Sequence, residues 1–166
     1  TDLLKWVDTE YMIFRMLERY IYRDKLTQPF LDIEPLLEFA NTALNRRKSR
    51  AGKSLEHHVN FIFRSFQLPF ENPGKTEANK KPDFLFPSNE AYKDIGYPND
   101  KLLMLGVKTT CKDRWRQVLN EANRIESKYL LTLQQGISKN QMDEMQDERL
   151  TLVVPKSLHT CYPKEY

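Results

Sequence analysis

The sequence predicts an α/β domain in which a small mixed central β-sheet is flanked by helices and preceded by N-terminal helices. Apolar residues recur at helical spacing in the first third of the chain, and short apolar runs alternate with helical patterns in the second half. Segments rich in proline, glycine and asparagine separate these patterns. A length of 166 residues suits one domain. We predict a single domain with helices over about residues 1–66 and a sheet-containing core over about residues 81–155.

The N-terminal region predicts three helices. Apolar residues recur every three or four positions over residues 12–21, and Pro29 breaks this pattern. Pro35 opens a second helix, because proline is favoured in a first helical turn. We expect the basic segment of residues 45–53 to connect this helix to a third, which Ser54 caps.

The second half predicts four short strands. They are Asp83–Phe86, Lys101–Lys108, Tyr129–Leu133 and Leu150–Val154. The second strand has four contiguous apolar residues and should be covered on both faces. A helix that begins near Trp115 joins the second and third strands, which predicts a right-handed parallel crossover. Ser138 is the predicted N-cap of a last short helix.

Three polar residues near these elements indicate a hydrolytic site. Asp83 opens the first strand, Lys108 ends the second, and Glu121 lies about two turns into the following helix. Mg²⁺ is held in proteins by one or two carboxylates with waters and substrate phosphates, and a nearby lysine can orient a water and offset charge. The three residues are of the types that hydrolysis of a phosphodiester requires.

Two further residues are weaker candidates. Glu56 lies beside the apolar stripe of the third predicted helix and could serve as an outer-shell or second-metal ligand. Tyr92, in the loop after the first strand, could contact a phosphate. Taken singly, each candidate also has a structural explanation, such as a turn aspartate, a solvated lysine or an acid that favours a helix dipole. The joint spacing of Asp83, Lys108 and Glu121 favours a site.

A charged triplet beside the lysine is suited to reading G·C base pairs. Lys112-Asp113-Arg114 combines cations that pair with guanine O6 and N7 with an acid that accepts from cytosine N4. The alternative is a solvated helix start. Arg116, with Arg46 and Arg47 of the basic segment, could contact the DNA backbone, although a solvated loop explains the last two equally well.

Composition limits the other functions. The formal net charge of +3 permits a nucleic-acid partner without requiring one. No apolar run is long enough for a membrane span, and no glycine-rich phosphate loop indicates a nucleotide cofactor. The histidines and the two cysteines have no metal-ligand spacing. Two cysteines and no visible secretory signal lead us to expect a reducing cytoplasmic setting.

Three blocks of the sequence resemble the EcoRII type of restriction endonuclease, within the PD-(D/E)XK superfamily. They are Lys81–Phe86, Leu105–Gln117 and Leu119–Ala122. The resemblance covers roughly residues 56–159 and implies a restriction endonuclease-like core. The position two residues before the lysine, which is acidic in most of the superfamily, is Gly106. The resemblance implies that the following helix supplies this carboxylate, as Glu121.

The resemblance also implies roles. Asp83 and Glu121 would be metal ligands, Lys108 the catalytic lysine and Glu56 an accessory acid. The implied activity is a Mg²⁺-dependent double-strand cut at a CCWGG-like site, read by the charged triplet. We expect a homodimer on double-stranded DNA, because two opposed strands need two active sites. The chain is similar to the catalytic domain alone or to a naturally minimal relative.

The sequence is also compatible with three alternatives. A nuclease of the same superfamily could act on DNA structure or in repair. A DNA-binding module could have lost catalysis, although the acids and the lysine are present. An α/β domain unrelated to nucleic acids would leave the triplet at residues 112–114 unexplained.

Overall fold

The computed structural model describes residues 3–165, apart from the side chain of Asp113. The chain divides into two compact units, Thr1–His58 and Val59–Tyr166. The first unit is helical and the second contains the sheet. None of the helices within residues 3–165 is long and apolar enough to cross a membrane.

Two long helices account for the N-terminal region, where three were predicted. They are α1 (Leu3–Thr27) and α2 (Ile33–Ser65). The break near Pro29 is confirmed, and Pro35 lies in the first turn of α2 as expected. The connector predicted over residues 45–53 is wrong, because this basic segment is a continuous part of α2.

Ion pairs explain why the basic segment stays helical. Arg47 donates to both carboxylate oxygens of Glu18 at 2.8 and 2.6 Å, and Arg50 donates to Glu10 at 3.0 Å. These contacts join α2 to α1 within the first unit. The prediction that Ser54 caps a third helix is also wrong, since Ser54 lies inside α2 and its hydroxyl donates to Glu10.

The second unit contains the predicted mixed sheet. Its strands are β1 (Phe84–Phe86), β2 (Leu103–Lys108), β3 (Lys128–Thr132) and β4 (Leu150–Val153), in the order β1-β2-β3-β4. β1 is antiparallel to β2, and the other neighbours are parallel. All four strands and the parallel pairing of β2 with β3 are therefore confirmed. The contiguous apolar run predicted that β2 would be covered on both faces, and residues 104–107 are buried.

Three short helices complete this unit, α3 (Asn89–Lys93), α4 (Trp115–Leu119) and α5 (Lys139–Asp147). Ser138 caps α5 as predicted, accepting a hydrogen bond from the backbone of Gln141 at 3.4 Å. α3 lies in a segment expected to be a loop. Its N-cap is Ser88, whose hydroxyl accepts from the backbone of Ala91 at 3.1 Å.

Helices cover both faces of the sheet. Successive strand residues point to opposite faces, so each strand contributes side chains to both helix contacts. On one face, the ring of Phe63 from α2 lies 5.2 and 5.5 Å from the rings of Phe84 and Phe86. On the other face, Val118 of α4 lies against Gly106. The core on this second face includes Leu85, Met104, Trp115, Val118, Leu130 and Met145. The fold class predicted from the sequence is confirmed.

Candidate active site

The antiparallel pairing of β1 with β2 joins Asp83 to Lys108. Asp83 immediately precedes β1, and Lys108 is the last residue of β2. One carboxylate oxygen of Asp83, Oδ2, accepts from the backbone N–H of Val107 at 2.6 Å and from the Lys108 ammonium at 2.8 Å. The side chains are 23% and 14% exposed, so the ion pair is partly shielded yet reachable from solvent.

Glu121 lies in the same electrostatic environment. Burial raises the pKa of its carboxyl to about 7, which the Lys108 charge opposes and the Asp83 charge reinforces. Its Oε2 atom is buried and has no hydrogen-bond partner among the described residues. The three residues singled out from the sequence are thus brought together, with one buried carboxylate oxygen unsatisfied.

The prediction that Glu121 lies within a helix is wrong. α4 ends at Leu119, and Glu121 follows in an irregular segment, with its backbone N–H bonded to Val118 at 3.1 Å. Ala122 next to it has a φ of 53°, in the left-handed region. A helix cannot continue through such a residue, so tertiary contacts determine the position of Glu121.

The absence of an acid at position 106 has a steric reason. A Cβ atom on Gly106 would lie 2.8 Å from Cγ2 of Val118 and 3.2 Å from its Cγ1. An acidic side chain at position 106 has no room while α4 packs on β2 in this way. The close packing of α4 on β2 therefore goes together with an acid supplied from beyond the helix, at Glu121.

The charged triplet lies next to the site. Lys112 to Arg114 form a single 3₁₀ turn that leads directly into α4, and the side chains of Lys112 and Arg114 are exposed. The turn is anchored just beyond β3, since the side chain of Gln134, two residues after the strand, accepts from the backbone N–H of Cys111 at 2.7 Å. The predicted helix start is confirmed, while the side chain of Asp113 lies outside the described residues.

Tyr92 is not placed to contact a phosphate. It is 4% exposed and belongs to the core. Its hydroxyl donates to Glu77 at 2.5 Å and accepts from the backbone N–H of Arg124 at 3.3 Å. Burial, with the bond to Glu77, raises the pKa of Tyr92 to about 12. This structural role replaces the expected phosphate contact.

The three arginines predicted to contact the DNA backbone differ in their exposure to solvent and in the groups that they already contact. Arg47 is held in a bidentate pair by Glu18, which is 6% exposed, and breaking that pair would leave a buried charge. Arg46 is exposed and lies over the ring of Tyr22 at 5.4 Å. Arg116 is half-exposed and pairs with Glu144 at 2.6 Å. The guanidinium of Arg47 is therefore already engaged by Glu18, and the DNA-backbone role of all three arginines stays a prediction.

Glu56 is the remaining acidic residue that the sequence indicated for the site. Glu56 is a half-buried residue of α2 in the first unit, and its accessory role stays a prediction.

The sequence did not indicate Glu77 and Lys80, because their segment has the composition of a solvated loop. Lys128 immediately precedes the strand predicted over residues 129–133 and was not singled out. It is 7% exposed, its ammonium donates to the Ile125 carbonyl at 2.7 Å, and burial lowers its pKa.

The fold is shared with solved restriction endonucleases. The TM-score is 0.72 with the structure described as a restriction endonuclease PspGI–substrate DNA complex, at 17% identity, covering 93% of this chain and 62% of that one. It is 0.64 with metal-depleted Ecl18kI in complex with uncleaved, modified DNA, at 20% identity, covering 92% and 55%. By its architecture the chain falls in the restriction endonuclease fold class.

Sequence relatives narrow this class. The type II restriction enzyme EcoRII of Escherichia coli is 50% identical over 156 residues, covering 93% of this chain and 39% of that enzyme. The type II restriction enzyme SsoII of Shigella sonnei is 26% identical over 129 residues, covering 70% and 40%. The family described as EcoRII C terminal matches residues 14–166. The chain belongs to this family, and it spans about two-fifths of the length of these two relatives.

Proposed function

We propose that this chain is the catalytic domain of a Mg²⁺-dependent type II restriction endonuclease that cuts both DNA strands at a CCWGG-like sequence. One observation carries the proposal. The Glu121 side chain is partly buried, and its Oε2 atom is buried and unpaired beside the Asp83–Lys108 ion pair. A buried, unpaired carboxylate is costly, so this arrangement suits a site that a cation completes. Membership of the EcoRII C-terminal family supports the same function.

The donor atoms suit magnesium. No group of three or more potential metal-ligating side chains occurs in the described part of the chain, which leaves Asp83 and Glu121 as a two-carboxylate set. Mg²⁺ commonly takes one or two carboxylates and fills its remaining positions with waters and substrate phosphates. When bound, the ion would stabilise charge on the phosphoryl oxygens and lower the pKa of a water. The metal-depleted state of the Ecl18kI structure supports a metal requirement by analogy.

The protein side chains have distinct roles in this proposal. Asp83 fixes the Lys108 ammonium, and Val107 in turn fixes Asp83 through its backbone N–H. A lysine held in this way can orient the attacking water and offset the negative charge that develops on the phosphate. Glu121 would be ionised once a cation is present, because a nearby positive charge favours the carboxylate form.

Base recognition is assigned to the triplet of residues 112–114. Lys112 and Arg114 are exposed on a turn that begins four residues after Lys108. Cleavage and base reading would then be coupled through one short segment, which Gln134 anchors to the chain just after β3. Each bidentate contact to a guanine is worth about 1–3 kcal/mol of discrimination. The PspGI structure, which is a complex with substrate DNA, supports DNA binding by this fold.

A homodimer is proposed from the surface of α1. Six apolar side chains between 52% and 72% exposed form a continuous stripe, since they recur as pairs every four residues. The stripe consists of Met12, Ile13, Met16, Leu17, Tyr20 and Ile21. Contiguous apolar surface of this kind marks an interaction site. A second copy of the chain is the partner that cutting of both strands requires.

A cytoplasmic location is proposed on chemical grounds. Cys111 is buried and Cys161 is exposed, and both are free thiols. Unpaired cysteines are typical of proteins in a reducing compartment, which is also where a restriction enzyme meets DNA.

Incubation with plasmid DNA, followed by sequencing of the fragment ends, tests the function. We expect discrete ends that share a motif in the presence of Mg²⁺, and no cleavage in EDTA. Lys108→Ala should reduce the cleavage rate by at least about 100-fold and retain DNA binding in a mobility-shift assay. Undiminished cutting by this variant would exclude Lys108 from the mechanism.

Two other outcomes would favour the alternatives. Random nicks without a shared motif would indicate a structure-specific or repair nuclease. Specific binding by the unsubstituted protein without cleavage, at any Mg²⁺ concentration, would indicate a DNA-binding module that has lost catalysis.

A further inference from the structure

The loop that leads into Asp83 is closed on itself. We call residues 74–82 the clamp loop. The backbone N–H of Gly74 donates to Pro82 at 2.9 Å, and that of Thr76 donates to Lys80 at 3.1 Å. A Cβ on Gly74 would come within 2.7 Å of the Cβ of Leu85 in β1, so the loop lies directly against this strand. The clamp loop is therefore fixed relative to the strand that follows Asp83.

The clamp loop also holds the segment that carries Glu121. Oε1 of Glu77 accepts from the backbone N–H of Asn123 at 2.6 Å. The Lys80 ammonium donates to the carbonyl of Asn120 and, at 3.4 Å, to the side chain of Asn123. These bonds contact the chain on both sides of Glu121, one residue before it and two residues after it.

The segment around Glu121 needs such contacts. It lies beyond the end of α4 and before β3, with one backbone bond from Glu121 back to Val118, and Ala122 has an unfavourable left-handed φ of 53°. On its far side, Arg124 donates to the carbonyl of Tyr97 at 2.9 Å and to the side chain of Asn99 at 2.8 Å. Beyond that one local bond, hydrogen bonds from other segments hold the backbone on both sides of Glu121.

Glu77 is the central residue of this network. Its second oxygen, Oε2, accepts from the buried hydroxyl of Tyr92 at 2.5 Å. Burial alone would raise the pKa of Glu77, but the bonds from Tyr92 and from the Asn123 backbone lower it below the ordinary value. Glu77 is thus an ionised carboxylate that accepts from two donors on different segments, which makes both bonds strong.

We propose that Glu77 is a positioning residue for the metal site, which holds the Glu121 segment at a fixed place relative to Asp83 through the clamp loop. The proposal depends on the proposed function, because it assigns Glu77 to the site that Asp83 and Glu121 form. Residues that orient metal ligands typically contribute 10- to 100-fold to metal affinity. Glu77 contacts neither of the two ligands, so its effect would pass through the backbone of Asn123.

Calorimetric titration with Mn²⁺ measures this effect directly. We expect Glu77→Ala to weaken Mn²⁺ binding about 10-fold and to raise the Mg²⁺ concentration for half-maximal plasmid cleavage by a similar factor. Glu77→Gln keeps a carbonyl oxygen that can accept from Asn123 and should restore most of the affinity. Glu126→Ala is the matched control, because Glu126 also makes a 2.6 Å bond but to the exposed Arg149.

A double-substitution cycle separates positioning from a general loss of structure. In a Glu121→Gln background the ligand is already lost, so adding Glu77→Ala should change the remaining Mn²⁺ affinity by less than about 2-fold. Equal losses in both backgrounds would mean that Glu77 only stabilises the fold, and would overturn the proposal. If near-ultraviolet circular dichroism shows that Glu77→Ala is not folded, Lys80→Met replaces it in the same cycle, because Lys80 also bonds to the segment that carries Glu121.

Failure of this inference can be told apart from failure of the proposed function. If the unsubstituted protein binds Mn²⁺ and Glu121→Gln loses it, the metal site stands. Full Mn²⁺ affinity in Glu77→Ala would then refute the positioning role alone. If Glu121→Gln binds Mn²⁺ as tightly as the unsubstituted protein, Glu121 is not a ligand and both proposals fall.

Discussion

Replacing Glu121 by glutamine should stabilise the metal-free protein at alkaline pH. The carboxyl of Glu121 is partly buried, and the loss of solvent raises its pKa from 4.5 to about 7. The folded state therefore binds the proton more tightly than the unfolded state does. The stability gained from this proton is complete below pH 4.5 and is lost as the pH rises through about 7. Glutamine has nearly the same shape and carries no charge at any of these pH values.

The pKa shift sets the size of the effect. One pKa unit corresponds to about 1.4 kcal/mol, so a pKa raised from 4.5 to about 7 corresponds to about 3.5 kcal/mol as an upper limit, which solvent screening of this partly exposed carboxyl reduces. At pH 8 in EDTA we expect the free energy of unfolding of Glu121→Gln to exceed that of the unsubstituted protein by about 2–3 kcal/mol. At pH 4 the two values should coincide. Other titrating groups are common to both proteins and cancel in the difference.

Urea denaturation in EDTA, followed by tryptophan fluorescence across this pH range, measures the difference. Trp115 is 1% exposed in the core of the sheet-containing unit and reports on its unfolding. Adding Mg²⁺ at pH 8 should stabilise the unsubstituted protein more than the variant, since the variant lacks one of the two proposed carboxylate ligands. Parallel pH curves for the two proteins would show that Glu121 is not held unpaired in a buried site, and would refute the reasoning.

Three further substitutions test other parts of the site and surface. Arg114→Ala should weaken binding to duplexes with GC-containing sites by about 1–3 kcal/mol more than binding to random duplexes, measured by fluorescence anisotropy; equal losses would make Arg114 a phosphate contact. Tyr20→Asp, in the stripe of α1, should shift the protein from dimer to monomer in analytical ultracentrifugation, and a persistent dimer would exclude the stripe as the interface. Gly106→Ala should destabilise the protein by about 1–3 kcal/mol in thermal unfolding, because the new methyl group meets Val118; an unchanged melting temperature would contradict the close approach of α4 to β2.

The strands and the ion pair could be predicted because their causes are local. Contiguous apolar residues in β2 indicate a strand covered on both faces, and residues 104–107 are buried there. Asp83 and Lys108 lie next to the ends of two strands that the apolar runs define. Strand pairing then brings them together, as the 2.8 Å contact demonstrates.

Features that depend on distant partners could not be predicted. The basic segment of α2 looked like a connector, because its ion-pair partners are residues of α1 that lie about 30 to 40 positions earlier in the chain. Tyr92 looked like a surface residue of a loop, whereas the core and Glu77 surround it. Burial of a polar residue depends on what packs around it, and no pattern of neighbouring residues encodes that packing.

The sequence by itself determined the four strands, the mixed sheet and the residue types of the candidate site, because apolar periodicity and the chemistry of single side chains are properties of the chain. Only the tertiary structure decided how Glu121 is presented. It lies beyond the end of α4, on an irregular segment held by the clamp loop. The physical reason is that hydrogen bonds between segments about 40 to 46 residues apart, rather than local helical propensity, set the position of that carboxylate.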